Sequence, residues 1–286
     1  NSFTSTGVIV GQDKFHLRIN STKQLEIFMN SSAIPYTTVA LNTNQWYHVA
    51  AVLGGGRLKL YLNGNEVLNL AVSSSVTADA SLLTIGRSAS TTTNYFKGKI
   101  DEVRIFNVAL SATQLQRMVY QEIQNTSAQV RGTIVPKDIE ALPFANLLRY
   151  YRMDAYKDDI IDDLTTAGID SGTGMKIYNN KVIKVQQAPM PFVTERTGTF
   201  ATAVNSPTNE VRGQDITDYN WSIVQVKHNI TETSNSIDLG MFVDPSVTIT
   251  MNNDTNLENN WYLKLDGKID LAGKSQLVQG INSDLD

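Results

Sequence analysis

The chain of 286 residues contains no cysteine. Disulfide bonds, thiolate metal sites and cysteine nucleophiles are therefore excluded. Charged residues are scarce at 18%, and the net charge of −4 leaves no basic excess, so nucleic acid is not an expected partner. The sequence also lacks any run of about 18 apolar residues, the length that a membrane-spanning helix needs. It therefore predicts no transmembrane segment.

Apolar residues are nevertheless plentiful at 41%, which is enough to build packed cores. Serine, threonine and asparagine are also common, as in β-rich extracellular proteins. Among exported proteins, chains without cysteine are more typical of bacteria than of animals. The chain starts at Asn1 within strand-like sequence, without the charged start and apolar core of a signal peptide. We therefore expect a mature fragment of a longer, exported bacterial protein.

Alternating apolar and polar residues between 45 and 116 predict half of a β-sandwich closed by a short helix. The alternating runs cover 45–52, 57–67, 82–87 and 96–111. Asn63-Gly64 separates two halves of the second run. A type I′ turn needs positive φ at both central positions, so these two residues predict a tight hairpin.

A short helix is predicted after the last of these runs. Ser111 is its expected N-cap, and Gln114 completes a capping box. Leu115, Met118 and Val119 recur at helical spacing and form the expected buried stripe.

The rest of the chain is predicted to hold a second β-rich domain at 147–286, separated from the first at 1–123 by a linker at 124–146. The linker prediction depends on the polar composition and two prolines of that segment. From Trp221 onward, short strand-like runs alternate with Asn, Asp and Gly. These runs cover 221–226, 237–241, 247–251, 261–265, 268–271 and 276–278. Their spacing suits a second sandwich and a short β-solenoid equally well.

Four motifs in the first domain occur in the order found in one known family. They lie at 45–50, 60–64, 83–86 and 98–111. On these motifs, residues 1–123 resemble the laminin-G-like, concanavalin A-like jelly-roll family. The resemblance implies a jelly-roll β-sandwich whose opening strands precede Asn1, and a function in sugar binding or adhesion. The predicted fold class is therefore all-β, with a jelly-roll sandwich followed by a sandwich or solenoid.

The second domain resembles the region that follows such domains in very large surface proteins of Bacteroidetes. The matching segments are 147–153, 187–192, 221–230 and 262–279. Those surface proteins are similar to cargo of the type IX secretion system. The resemblance implies export to the cell surface of a Gram-negative bacterium, with the secretion machinery as a partner during export.

Asp101 and Glu102 are the nearest approach to a catalytic carboxylate pair. Glucanases of the jelly-roll fold place two carboxylates two residues apart on one strand, so that both face one groove. Neighbouring residues of a strand point to opposite faces, so these two cannot act together. We expect one to bind turn backbone and the other to lie on the solvent side with Arg104. The sequence therefore favours a protein that is not an enzyme.

The three histidines do not form a metal or nucleophile motif. His16, His48 and His228 all lie in strand-like segments without metal-ligand spacing. No Gly-x-Ser-x-Gly motif accompanies them. His48 is expected to be a hydrogen-bonded residue in or near the core, and a catalytic triad is not predicted.

Calcium is the one cofactor that the resemblance implies, because related domains often hold this ion at the sandwich rim. Its ligands cannot be assigned residue by residue in this chain. The acidic run Asp158, Asp159, Asp162 and Asp163 forms a short helix or turn and is a candidate. It lacks the spacing and central glycine of an EF-hand loop. A solvated helix face is the simpler interpretation.

Tyr95, preceded by Asn94, is the best candidate for binding a sugar. An exposed aromatic ring presents apolar area to the C–H face of a pyranose, and the Asn94 amide adds a polar contact. In the alternative interpretation, which we favour, Phe96 opens the next strand and packs inward, so that the segment is structural.

These features predict a non-catalytic segment of an exported surface protein, acting in adhesion or carbohydrate recognition, with a glycan or surface polymer as partner. One alternative is a structural spacer of a giant adhesin. Another is an accessory domain of a glycan-degrading enzyme whose catalytic domain lies elsewhere.

Overall fold

The computed structural model divides into two compact units. It describes residues 5–36, 40–73, 75–91, 93–154, 156–165, 174–178, 188, 190–204 and 220–286. The N-terminal unit comprises Asn1–Asn44, His48–Leu110 and Ala145–Ala188, and the C-terminal unit comprises Gln45–Tyr47, Ser111–Phe144 and Pro189–Asp286. The predicted segment 187–192 lies partly outside the described residues.

The N-terminal unit contains antiparallel sheets that form a β-sandwich. The larger sheet has the order β4-β3-β2-β1-β8, with β1 Gly7–Gln12, β2 Phe15–Ile19, β3 Leu25–Met29, β4 Ser32–Pro35 and β8 Thr84–Ile85. A three-stranded sheet contains β5 Val49–Gly54, β6 Arg57–Leu62 and β7 Asn65–Ala71. In the central strand β6, Leu58, Leu60 and Tyr61 are all buried, so that both faces of this strand are covered.

The predicted hairpin turn is confirmed. Asn63 has φ 50° and Gly64 has φ 83°, the positive values that a type I′ turn requires. The Asn63 side chain also accepts a hydrogen bond from the backbone N–H of His48 at 2.9 Å. The strand predicted at 45–52 begins only at Val49, because the residue before it bonds to this turn.

A strand from beyond residue 123 also belongs to the N-terminal unit. Strand β13, Leu147–Tyr151, pairs antiparallel with β9, Val103–Phe106. A small sheet follows it, with β14 Tyr156–Lys157, β15 Ile160–Ile161 and β16 Met175–Lys176. Val103, Tyr151 and Met153 form a buried cluster against which Met175 packs. The structure thus places 147–165 with the first domain, whereas the sequence prediction places it with the second.

The C-terminal unit begins with the predicted helix. Helix α1 spans Ala112–Val119, with Ser111 as its N-cap and a capping box to Gln114. Leu115, Met118 and Val119 are its buried residues. The predicted cap, capping box and buried stripe are all confirmed.

The segment 124–146, predicted as a linker, contains paired strands. Strands β10 Ile123–Thr126, β11 Gln129–Gly132 and β12 Asp138–Pro143 form an antiparallel sheet, followed by a 3-10 turn at Phe144–Asn146. Val130, Val135 and Ile139 are fully buried, and Gln121 accepts a hydrogen bond from the Val135 N–H at 2.9 Å. The apolar residues of this segment are few and widely spaced, so its polar composition predicts a linker although it forms strands.

The described residues from 192 onward form a β-solenoid-like region of stacked parallel strands. One sheet contains β17 Phe192–Val193, β18 Ile223–Val226, β20 Ser236–Val243, β22 Asn256–Leu265, β24 Gln276–Gln279 and β25 Asp284–Leu285. The other contains β19 Ile230–Glu232, β21 Thr248–Met251 and β23 Lys268–Leu271, and a short helix α2 spans Phe200–Val204. Parallel register, as between Thr248 and Lys268, is the mark of a solenoid. The all-β prediction is confirmed, and its solenoid alternative is correct.

The solenoid interior contains a ladder of polar side chains among apolar neighbours. Asp238 accepts a hydrogen bond from the Asn259 amide at 2.6 Å, and Ser283 donates to Asn259 at 2.8 Å. Burial is the main cause that raises the pKa of Asp238 to about 8. Its second oxygen, Oδ2, and the Ser236 hydroxyl have no hydrogen-bond partner among the described residues.

Lys137, which lies between β11 and β12, binds strand β22 and the segment 282–284. Its ammonium group donates to the backbone oxygens of Trp261 at 3.1 Å and Asn282 at 2.7 Å. It also pairs with Asp284 at 2.8 Å. One side chain therefore binds three acceptors that all lie far from it in the sequence.

The variant Lys137→Met is expected to lower the free energy of unfolding of the C-terminal unit by about 2 kcal/mol, because bonds to a charged donor are lost while the aliphatic stem is kept. Urea titration followed by tryptophan fluorescence measures this, since Trp46, Trp221 and Trp261 all lie in that unit. Lys268→Met is the control, because its pair with Asp270 is exposed and such pairs contribute little. Equal effects of the two variants would contradict a stabilising role of the Lys137 hydrogen bonds.

Candidate functional site

The segment 94–96 lies along the edge of β1 beside β8. The Val8 N–H donates to the Asn94 oxygen at 2.9 Å, and the Phe96 N–H donates to the Gly86 oxygen at 2.8 Å. Val8 also forms an isolated bridge with Tyr95. Asn94 has φ 58°, a left-handed conformation that asparagine tolerates better than most residues. Backbone pairing therefore fixes the position of the candidate residues.

The side chains of this segment differ in exposure. Tyr95 is 52% exposed, whereas Phe96 is half-buried with its ring against the backbone of Gly98. The inward packing expected of Phe96 is thus partial, and it leaves the Tyr95 ring accessible. Ligand binding by Asn94 and Tyr95 stays a prediction.

A second exposed tyrosine lies close to the same edge. Tyr178 is 69% exposed, and the Arg87 guanidinium lies 5.6 Å from the centre of its ring. Arg87 directly follows Gly86, the residue that pairs with Phe96. No local sequence signal joins Arg87 to Tyr178, because the two are far apart in the chain. Together with Tyr95 and Asn94, they provide aromatic faces, an amide and a cation, which suits binding of a polar ring.

Asp101 and Glu102 serve different structural roles. Asp101 accepts hydrogen bonds from the Ala188 N–H at 2.7 Å and the Glu102 N–H at 3.0 Å. Burial is the main cause that raises the pKa of Asp101 to about 6. One of the two therefore binds backbone, as expected.

The Glu102 side chain is only 9% exposed within the N-terminal unit. It pairs with Arg104 and accepts a hydrogen bond from the Tyr150 hydroxyl at 2.7 Å. The expected pairing with Arg104 is found, but the expected place on the solvent side is wrong. Glu102 has φ 52°, outside the strand conformation, and this turns its side chain toward β13. That the chain is not an enzyme stays a prediction.

Each histidine has a separate structural environment. His16 stacks on Phe28 with ring centroids 4.7 Å apart, and burial is the main cause that lowers its pKa. His48 is half-buried beside Arg104, and desolvation followed by that positive charge lowers its pKa to about 3. His228 contacts the Thr194 oxygen at 2.8 Å. The structure does not bring them together.

The acidic run is not a solvated helix face. Asp158 and Asp159 form the turn between β14 and β15, whereas Asp162 and Asp163 are buried. Asp163 accepts hydrogen bonds from the Tyr150 N–H at 3.1 Å and from Thr165. The turn alternative is correct for the first two residues. The helix face is wrong for the last two, because both are buried. Backbone and hydroxyl donors compensate the burial of Asp163.

These contacts bear on the calcium prediction. Asp163 already accepts hydrogen bonds from the Tyr150 N–H and the Thr165 hydroxyl. Asp159 pairs with Lys176 at 3.2 Å. Across the described ranges, no group of three or more His, Cys, Asp or Glu side chains is placed to hold a metal ion. The acidic run does not fit the six to eight oxygen ligands that calcium takes, and calcium binding stays a prediction without assigned ligands.

No helix within the described residues is long and apolar enough to cross a membrane.

Residues 1–116 match the family model of the concanavalin A-like lectin/glucanases superfamily. The sandwich of the N-terminal unit is therefore concanavalin A-like, as the sequence motifs predict. The match ends before β13, which the structure adds to the same unit. No curated protein matches the chain.

Two solved structures are similar to parts of the chain. One is a candidate carbohydrate binding protein from Bacteroides ovatus, with 23% identity and a TM-score of 0.49, and the match covers 66% of this chain and 51% of that one. The other is an S-layer domain-containing protein from Clostridium thermocellum, with 26% identity and a TM-score of 0.26, covering 41% of this chain and 64% of that one. The chain thus spans less than two thirds of each. With TM-scores below 0.5, neither similarity supports a conclusion about function.

Proposed function

We propose that the N-terminal unit is a non-catalytic carbohydrate-recognition module in which Tyr95 stacks on a sugar ring. The observation that carries the proposal is the exposed Tyr95 ring, held by backbone pairing at the edge of a lectin-like sandwich. A tyrosine whose backbone is already ordered loses little freedom when it binds, which favours recognition of a rigid ring. Asn94 supplies both a donor and an acceptor beside it.

The wider context of the proposal is an exported bacterial surface protein. Cell-surface location in a Gram-negative bacterium, adhesion, and export as type IX cargo rest on the sequence resemblance alone. A structural spacer is the second candidate, and the stacked parallel coils of the C-terminal unit favour it, because such coils build elongated, rigid elements. Both functions can coexist, since they use different units.

The variant Tyr95→Ala is expected to weaken glycan binding by roughly five- to tenfold, because the ring's apolar and stacking contact is lost. A glycan array identifies a ligand for the full chain, and calorimetric titration then measures the affinity of each variant. Tyr156→Ala is the matched control, since Tyr156 is an exposed tyrosine of the same unit.

Retention of full affinity by Tyr95→Ala would assign binding to another surface. Absence of binding to every glycan on the array would remove the recognition function and leave the spacer.

A further inference from the structure

The segment that carries Tyr95 is basic in a chain that is acidic overall. Asp and Glu outnumber Lys and Arg by 28 to 24. The stretch from 80 to 100 reverses this balance, because it contains Arg87, Lys97 and Lys99 but no Asp or Glu. A local excess of one sign concentrates ions of the opposite sign at that surface.

Backbone pairing gathers these basic residues around the exposed rings. The hydrogen bond from Phe96 to Gly86 sets Arg87 beside the segment that carries Tyr95. Tyr95 and Lys97 are both exposed, whereas Phe96 between them is half-buried. Tyr95 and Lys97 are therefore both open to solvent and only two residues apart.

The two nearest cations are available to a ligand. The Arg87 guanidinium stacks on the Tyr178 ring at 5.6 Å. Neither Arg87 nor Lys97 forms a salt bridge within the part of the chain that the structure describes. The next acidic residue along the chain, Asp101, accepts hydrogen bonds from Ala188 and Glu102 instead.

An arginine beside aromatic rings suits one class of sugar in particular. A guanidinium presents a planar fork of donors that matches a carboxylate or sulfate in two parallel bonds. Stacking on Tyr178 restricts its motion, so that less freedom is lost on binding. A neutral sugar would leave this charge without a partner.

We propose that this face binds an acidic polysaccharide, whose carboxylate or sulfate group pairs with Arg87 while a sugar ring stacks on Tyr95. The inference rests on the proposed carbohydrate recognition and specifies its substrate class. Lys97 adds attraction for further acidic groups along the polymer. The net charge of the whole chain is negative, so the attraction for polyanions is local to this segment.

The test uses the full chain and three polymers built on galactose-type sugars: polygalacturonate, sulfated carrageenan and neutral galactan. We expect at least one acidic polymer to bind about tenfold more tightly than galactan, with an affinity that falls as salt is raised. The preferred acidic polymer distinguishes a carboxylate from a sulfate. Arg87→Gln is expected to lose about tenfold in affinity for that polymer and nothing for galactan.

Lys23→Gln is the matched control, since it makes the same charge change in the turn between β2 and β3. Equal binding of all three polymers, or equal effects of Arg87→Gln and Lys23→Gln, would overturn the inference and leave the proposed recognition intact. Failure to bind any of the three polymers or any glycan on an array would overturn the proposed recognition itself.

Discussion

The variant Tyr150→Ala is expected to lower the free energy of unfolding of the N-terminal unit by about 3–5 kcal/mol, the usual cost of removing a buried aromatic ring. Tyr150 is 2% exposed in β13, and its hydroxyl donates at 2.7 Å to Glu102, whose side chain is only 9% exposed. The Arg104 guanidinium lies 5.5 Å from its ring. Truncation leaves a cavity and removes a donor from the Glu102 carboxylate.

Two further variants separate these contributions. Tyr150→Phe keeps the ring and removes only the hydroxyl, so it is expected to cost about 1 kcal/mol. Leu148→Ala changes the same strand at a side chain that is 42% exposed, and surface changes of this kind stay within about 0.5 kcal/mol. Together they show whether ring packing or the hydrogen bond dominates.

Urea titration followed by far-UV circular dichroism measures the unfolding of both units, whereas tryptophan fluorescence follows only the C-terminal unit. Tyr150→Ala should move the first signal to lower urea and leave the second unchanged. If it behaved like Leu148→Ala, β13 would not be an integral part of the N-terminal unit.

The features that sequence predicts well are those with local causes. The Asn63-Gly64 turn and the helix cap at Ser111 each depend on residues within a few positions of one another. Their backbone conformation follows from steric and hydrogen-bond preferences that do not need the rest of the chain. The strands after Trp221 are also predicted, because each short run carries its own apolar residues, whereas their spacing leaves a sandwich and a solenoid equally open.

The features that sequence misses have partners far along the chain. β13 reads as the start of a second domain, but its partner β9 lies before helix α1. Arg87 and Tyr178 meet through the fold alone. The burial of Asp163 depends on the Tyr150 N–H in the neighbouring strand, which no pattern of charges reveals. Pairing between distant residues therefore explains why the sequence alone predicts neither the domain boundary nor all residues of the candidate site.

The variant Asp238→Asn is expected to make the C-terminal unit roughly 5 kcal/mol more stable at pH 9 and to change its stability little at pH 4. The pKa of Asp238 is raised to about 8, first by burial and then by repulsion from Glu258, while the Asn259 bond acts in the opposite direction. The folded protein therefore keeps a proton that the unfolded chain, with its ordinary carboxyl pKa near 4, has already lost.

The direction of the pH dependence follows from this difference. Between about pH 4 and pH 8 the folded state binds one more proton than the unfolded state, so its stability falls as pH rises through that window. The fall amounts to slightly more than 1 kcal/mol per pH unit and stops above the folded pKa. Asparagine resembles the protonated carboxyl in shape and keeps an acceptor for Asn259, so the variant lacks this loss.

Urea titrations at several pH values, read by tryptophan fluorescence, measure the difference between the variant and the natural sequence. That difference isolates Asp238, because Asp101 and the other titrating groups contribute equally to both curves. Asp270→Asn is the control, since Asp270 is an exposed carboxylate of strand β23. Parallel curves for Asp238→Asn and the natural sequence would mean that Asp238 is ionised in the fold. The unpartnered Oδ2 of Asp238 argues against that outcome, because a buried charge would need hydrogen bonds that this oxygen does not receive from the described residues.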